Sequence, residues 1–185
     1  MKVDLDVEIY ILAGGLSRRM GQDKSRLQIG RRSMLGQIRA TAKKIGFPVR
    51  VVRKDAVPKC GPLGGVYTAL KATKASAVLF LACDMPFVSV EILHQMLRRF
   101  ELSNQSLFVQ TSEGAGFPFV LRKDVSPVVK EQVRRREFSI QKLARRLKAK
   151  RMKVPPKWRL QLLNINTPED YRFSVQSGLA KISAE

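Results

Sequence analysis

Cysteine, aromatic side chains and acidic side chains are all scarce in this 185-residue chain. Two cysteines, Cys60 and Cys83, are too few for a four-cysteine zinc site or a disulfide framework. Their scarcity fits a reducing compartment. Aromatic residues make up only 7% of the chain, which is few for a protein that stacks nucleic-acid bases. We therefore do not expect nucleic acid as a partner.

The chain also lacks a long apolar run and an apolar leader. Its longest mostly apolar stretch, residues 75–85, is shorter than the roughly 20 residues needed to cross a bilayer. The first eight residues, MKVDLDVE, carry acids where a signal peptide carries cations followed by an apolar stretch. We therefore expect a cytoplasmic protein with no membrane partner.

What the chain has in excess is positive charge. It contains 35 Lys and Arg against 15 Asp and Glu, a net charge of +20. Most of the excess falls in residues 18–54, with twelve basic and one acidic residue, and in residues 122–159, with fifteen basic and three acidic residues. Such a field attracts nucleotides, phosphorylated cofactors or nucleic acid. The alternative is a solvated basic surface, including the arginines of residues 134–136.

The pattern of apolar segments predicts one α/β domain over residues 1–185, with residues 179–185 as a flexible tail. The predicted strands are residues 7–13, 48–52, 77–82, 107–111 and 118–121, with a hairpin or turn at 27–30. The predicted helices are residues 34–45, 66–73, 89–100, 126–147 (one helix or two) and 167–178. Strands that alternate with helices indicate βαβ units and a mostly parallel sheet.

A glycine-rich loop follows the first strand and is the strongest functional motif. Gly14 and Gly15 let backbone N–H groups approach phosphate oxygens closely. Arg18, Arg19 and Lys24 add three cations within the next nine positions. The loop contains neither the G-x-G-x-x-G pattern of dinucleotide-binding folds nor a Walker A sequence. It therefore predicts a phosphate-binding site of a different type.

An acid stands at the end of the most apolar strand. Asp84 follows residues 77–82, and ligands of open α/β sheets bind outside the carboxyl ends of the strands. A carboxylate there can hold Mg²⁺ together with substrate phosphates. A role as a capping or turn residue is equally compatible with its position.

Two more segments could contact a ligand. The sequence GPLGG, residues 61–65, predicts a close-approach turn before a helix. Asn164 and Asn166 would point the same way from an extended segment and offer two amides. Either amide could instead satisfy local backbone groups.

These motifs together resemble a known family. LAGGLSRRMGQDK, GPLGG, ACDMP and NINTPED occur here in the same order as in molybdenum cofactor guanylyltransferases, and the resemblance spans about residues 7–175. It implies a three-layer, Rossmann-like nucleotide-diphospho-sugar transferase fold. It also implies transfer of GMP from GTP to molybdopterin or Mo-molybdopterin, giving molybdopterin guanine dinucleotide and pyrophosphate. The implied cofactor is Mg²⁺, and transient contact with other cofactor-biosynthesis proteins would follow.

The resemblance also implies a role for individual residues. The implied catalytic residues are Asp84, Arg19 and Lys24, with Asp84 as the metal ligand. The implied nucleotide-binding residues are Leu12, Ala13, Gly14, Gly15, Lys24, Asp55 and Asp84. The implied contacts to the second substrate are Gly61, Pro62, Gly65, Asn164 and Asn166.

Two departures from the family pattern affect the expected substrates. The segment between Val52 and Asp55 is too short for the helix and strand that the family usually has there. Gly116-Phe117-Pro118 also lacks the polar residue often found before that proline. Related cytidylyltransferases typically have LAAG where residues 12–15 are LAGG, which favours GTP over CTP. The alternatives are a related nucleotidyltransferase with another acceptor, or a non-catalytic nucleic-acid-binding protein on the same scaffold.

Overall fold

The computed structural model describes residues 5–14, 24–54, 56–57 and 60–177. Its central sheet contains β1 (Val7–Leu12), β4 (Val49–Val52), β5 (Ala77–Ala82), β6 (Leu107–Thr111), β7 (Gly114–Arg122) and β8 (Lys150–Lys153). A separate small hairpin is formed by β2 (Gln28–Ile29) and β3 (Arg32–Ser33). The α-helices are α1 (Met34–Lys43), α2 (Pro62–Ala72), α3 (Val90–Ser103), α4 (Ser126–Arg134), α5 (Ile140–Arg146) and α6 (Pro168–Gln176).

The strand order of the sheet places five carboxyl ends at one edge. The order is β4-β1-β5-β7-β6-β8. The pairs β1–β4, β1–β5 and β6–β8 are parallel, whereas β7 is antiparallel to both β5 and β6. The sheet is therefore mostly parallel, as predicted. All strands except β7 end at the edge where ligands of such sheets bind.

Helices cover both faces of the sheet, which gives three layers. Alternate side chains of β1 enter two cores: Ile9 and Ile11 pack with α1 and α3, while Tyr10 and Leu12 pack with α2, α4 and α5. The strand β5 is buried almost throughout, as its uninterrupted apolar sequence predicts. The α/β fold class is thus confirmed, with the layers that the resemblance implies.

The structure corrects two of the predicted boundaries and adds a strand. The helix α2 begins at Pro62, not at residue 66, because proline suits the first helical turn and Gly64 and Gly65 continue the helix. The strand β7 runs over nine residues, where the sequence predicted four. The strand β8 was not predicted at all, because three of its four residues are basic. The basic segment after β7 forms two helices, α4 and α5.

The connection after β4 is short, as its sequence indicated. In the described part of residues 53–61 there is no helix or strand, and β4 is an edge strand. The predicted tail lies outside the residues that the structure describes. Within the described ranges, no helix has the length and apolar character needed to cross a membrane.

Candidate functional site

Asp84 lies at the carboxyl edge of the sheet, two residues after β5. Its carbonyl oxygen accepts a hydrogen bond of 2.8 Å from the backbone N–H of Ile165, which ties the end of β5 to the segment before α6. The residue is half-buried. Burial raises the pKa of Asp84 above its usual value, and the charge of Lys24 and its own backbone N–H partly offset that effect. Such a desolvated carboxylate is costly unless a cation binds it.

Lys24 brings a cation to this carboxylate from a distant part of the chain. It begins a 3₁₀ turn, Lys24–Arg26, and its Nζ donates a hydrogen bond of 2.9 Å to Oδ1 of Asn166. Its charge affects the pKa of both Asp84 and Asp170. The structure therefore assembles Lys24, Asp84 and Asn166 at one place, and sequence analysis had assigned all three to the site.

The start of α6 holds Asn166 in position. Thr167 and Asp170 form a capping box in which Oδ2 of Asp170 accepts hydrogen bonds of 2.9 Å from the backbone N–H groups of Asn166 and Thr167. Partial burial raises the pKa of Asp170, but these hydrogen bonds and the nearby Lys24 outweigh it and lower the pKa below its usual value. The cap therefore fixes the backbone from which the Asn166 amide reaches Lys24.

The residues expected to contact the nucleotide follow β1. The backbone N–H of Ala13 donates to the carbonyl of Val52 at 2.8 Å, and the N–H of Cys83 donates to the carbonyl of Leu12 at 3.1 Å. Gly14, the next residue, is exposed at the sheet edge. The structure thus places Leu12, Ala13 and Gly14 beside the end of β5 that leads to Asp84. Gly15, Arg19 and Asp55 lie outside the described residues, so their roles stay predictions.

The GPLGG segment is divided between the site and the core. Gly61 precedes α2 with a φ of +55°, a conformation that favours glycine, and no side chain caps the helix there. Pro62 is exposed and lines the cleft described next, while Gly65 is buried inside α2. Of the three residues of this segment that the resemblance assigned to the second substrate, Pro62 lines the cleft, whereas Gly61 and Gly65 do not.

A cleft of about 900 Å³ opens at this edge of the sheet, beside the Lys24–Asn166 pair. Its floor is formed by the end of β6 and the start of β7, and the segment before α6 forms one wall. Asn164 and Asn166 both line it, and their contact with a second substrate stays a prediction. Its other polar lining side chains include Gln110, Thr111, Ser112, Glu113, Ser139, Gln141, Arg159 and Asp170, and its apolar ones include Met85, Phe117, Phe138, Val154, Leu162 and Leu163.

The donor chemistry of the site fits one Mg²⁺ ion shared with a substrate. Among the described residues, no three His, Cys, Asp or Glu side chains lie close enough together to hold a metal ion alone. Mg²⁺ is typically held by one or two carboxylates plus substrate phosphates, and it keeps several waters. The half-buried carboxylate of Asp84 suits that arrangement. The carboxylate of Asp84 would therefore suit Mg²⁺ only together with oxygens of a bound substrate.

The arginines of residues 134–136 differ from one another in their partners. Glu131 forms ion pairs with Nε of Arg134 at 2.8 Å and with Nε of Arg135 at 2.6 Å. These hydrogen bonds lower the pKa of Glu131 to about 2. None of the three arginines lines the cleft. Arg159 is the basic residue that does line it among the described residues. It is the last residue of the basic segment 122–159, but nothing in its local sequence sets it apart from the other basic residues there.

A family model, related sequences and solved structures all relate this chain to the same kind of protein. The model of the MobA-like NTP transferase domain matches residues 9–152. The molybdenum cofactor guanylyltransferases of Xanthomonas euvesicatoria and Syntrophotalea carbinolica are 31% and 30% identical to this chain, covering 87% of it and 90% and 87% of their own lengths. The molybdopterin-guanine dinucleotide biosynthesis protein A of Archaeoglobus fulgidus superposes with a TM-score of 0.71 at 17% identity, covering 92% of this chain and 97% of that one.

Proposed function

This chain belongs to the MobA-like NTP transferase family, and we propose that it transfers GMP from GTP to molybdopterin, in its free or molybdenum-bound form. The products are molybdopterin guanine dinucleotide and pyrophosphate. Molybdenum cofactor guanylyltransferases about 30% identical over most of the chain support this choice of substrates. The observation that carries the proposal is that Lys24, Asp84 and Asn166 come together beside the cleft, which Asn166 lines.

The proposed reaction is an in-line displacement at phosphorus. An oxygen of the molybdopterin phosphate attacks the α-phosphorus of GTP and forms a new P–O bond. The bond from the α-phosphorus to the oxygen that bridges to the β-phosphorus breaks, and its electron pair leaves with pyrophosphate. The attacking phosphate is already ionised at neutral pH, so no general base is needed. The protein's contribution is therefore positioning and neutralisation of charge.

The residues of the site have distinct parts in this reaction. Lys24, held by Asn166, stabilises the negative charge that grows on the leaving pyrophosphate, and we assign Arg19 the same role. The backbone of Leu12, Ala13, Gly14 and Gly15 holds the nucleotide, together with Asp55. Asp84 would hold Mg²⁺, which supplies positive charge at the phosphates when bound. The cleft lined by Asn164 and Asn166 receives the acceptor.

GTP is the proposed nucleotide because residues 12–15 and the GPLGG segment match the guanine-using branch of the nucleotidyltransferases. The related proteins are guanylyltransferases, which supports guanine as the base. The short connection after β4 reduces the contacts available to the base, so we expect the preference over CTP to be modest. A cytoplasmic location and transient contact with other cofactor-biosynthesis proteins are part of the same proposal, supported by the resemblance of the motifs.

Release of pyrophosphate tests this function directly. The purified protein is incubated with molybdopterin, Mg²⁺ and either GTP, CTP or ATP. We expect pyrophosphate to form fastest with GTP, to need molybdopterin, and to stop when EDTA removes the metal. Fastest release with CTP would make the protein a cytidylyltransferase. Release that needs another acceptor, such as a sugar phosphate, would contradict the assignment of molybdopterin.

A further inference from the structure

Few charged side chains line the cleft, and they differ in whether they have a hydrogen-bonding or ionic partner. Among the residues that the structure describes, three charged ones line it: Glu113, Asp170 and Arg159. The carboxylate of Asp170 is engaged by the backbone N–H groups at the start of α6. Arg159 is exposed, and no carboxylate of the described residues forms an ion pair with it. The cleft therefore presents one guanidinium without a carboxylate partner in the described part of the chain.

The position of Arg159 is fixed mainly by its buried neighbour Trp158. The indole of Trp158 is buried in the core, and its Nε1 donates to Oε2 of Glu91 at 3.4 Å. The Nζ of Lys157 pairs with Oε1 of the same carboxylate at 3.1 Å, but both side chains are largely exposed, so this ion pair adds little to the anchoring. The backbone N–H of Arg159 donates to the carbonyl of Pro156 at 3.2 Å. The segment is thus pinned to the first turn of α3, so the backbone that carries the guanidinium is held at the cleft.

An acceptor that carries a phosphate needs a cation in this cleft. The phosphate of the acceptor is negatively charged and must approach a bound nucleoside triphosphate, whose own negative charge repels it. Lys24 does not line the cleft, and its Nζ already donates to Asn166. Arginine suits this task because its planar fork can bind two phosphate oxygens at once.

We propose that Arg159 binds the phosphate of the acceptor and so determines how tightly the acceptor is held. The inference rests on the proposed function, because it takes molybdopterin as the acceptor. The arginines of residues 134–136 belong to the same basic segment, residues 122–159, but do not line the cleft. Two of those arginines are instead paired with Glu131, outside the cleft.

The test compares Arg159→Gln with the matched control Lys157→Gln. Both changes remove one positive charge from neighbouring exposed positions, but only Arg159 lines the cleft. We expect Arg159→Gln to raise the KM for molybdopterin about tenfold or more, the size typical of a lost charged hydrogen bond, and to leave the KM for GTP within about twofold. Lys157→Gln should leave both values near those of the wild type. Arg159→Lys should restore part of the loss, since it keeps the charge but not the fork.

Binding of molybdopterin without GTP, measured by equilibrium dialysis, separates this inference from the proposed function. Weaker binding by Arg159→Gln but not by Lys157→Gln supports the inference even if no dinucleotide forms, in which case the proposed function fails alone. Equal binding and equal KM for the two variants would overturn the role of Arg159. So would a KM that rises for GTP and not for molybdopterin.

Discussion

Replacement of Asp84 by asparagine should separate activity from stability. The amide has nearly the shape of the carboxylate, and the backbone carbonyl of residue 84 still accepts from Ile165. A neutral amide is, however, a poor ligand for Mg²⁺. Loss of one major contact in the transition state costs about 3 kcal/mol, a factor of about 10² or more in kcat. We therefore expect Asp84→Asn to be nearly inactive at saturating Mg²⁺.

The same change should not destabilise the metal-free protein. The carboxylate of Asp84 is desolvated, which is the main reason its pKa is raised, and a buried charge costs folding free energy. The amide carries no charge to desolvate, and Lys24 keeps its hydrogen bond to Asn166. We expect the Tm in EDTA to equal or exceed that of the wild type. For a chain of this size, 1 kcal/mol corresponds to about 2–4 °C.

The assay combines steady-state kinetics with thermal unfolding. Asp84→Glu serves as the control, because it keeps the charge but moves the oxygens by one methylene, and it should retain more activity than the amide. If Asp84→Asn kept more than about a third of the wild-type kcat, the metal assignment would be wrong. A fall in Tm of more than about 4 °C would show that Asp84 is a structural residue.

Three further variants test the support of the site and the core. Asp170→Asn should lower stability by about 1 kcal/mol at neutral pH. The pKa of Asp170 is lowered in the folded state, so its carboxylate stabilises the fold where it is ionised. The stability difference between the wild type and the variant should therefore have its full size above about pH 4, the usual pKa of an aspartate, and disappear as the pH falls through the folded-state pKa. Unfolding measured as a function of pH checks this. Asn166→Ala removes the oxygen that accepts the hydrogen bond from Lys24. It should lower kcat/KM about tenfold or more and lower Tm by no more than a few degrees, and an unchanged kcat/KM would refute the role of this hydrogen bond. Phe119→Ala removes a fully buried ring that stacks on two neighbours at 4.6 and 5.0 Å and should cost about 3–5 kcal/mol in denaturant unfolding, so a loss below 1 kcal/mol would contradict the core packing.

The parts of the fold that the sequence predicts are those with a strong local pattern. The apolar run of residues 77–82 gave β5 with both ends correct, and Thr167-Pro168 marked the start of α6. The strand β8 was not predicted because it is an edge strand whose residues are mostly basic, with only Met152 buried. Lysines on an edge strand discourage pairing with other chains, and they also remove the apolar alternation by which strands are recognised.

The candidate site divides in the same way. The glycine-rich loop indicated Lys24 as a site residue, and the position after a buried strand indicated Asp84. No local pattern shows that Asn166, 142 residues from Lys24, accepts the hydrogen bond of that lysine. That contact depends on the long-range packing of the segment before α6 against the end of β5. The sequence left open whether Arg134 and Arg135 attract a ligand or only form surface charge, and their ion pairs with Glu131 outside the cleft favour surface charge. Arg159 lies in the same basic segment, and only the three-dimensional structure shows that it lines the cleft.

The fate of the α-phosphate of GTP tests the central claim most directly. The protein is incubated with molybdopterin, Mg²⁺ and GTP labelled at either the α- or the γ-phosphate. The proposed function predicts that the α-label enters a molybdopterin guanine dinucleotide and that the γ-label leaves as pyrophosphate, in equal amounts. An α-label that appears only in GMP, or a γ-label that appears as inorganic phosphate, would show hydrolysis and not nucleotidyl transfer, and would contradict the account.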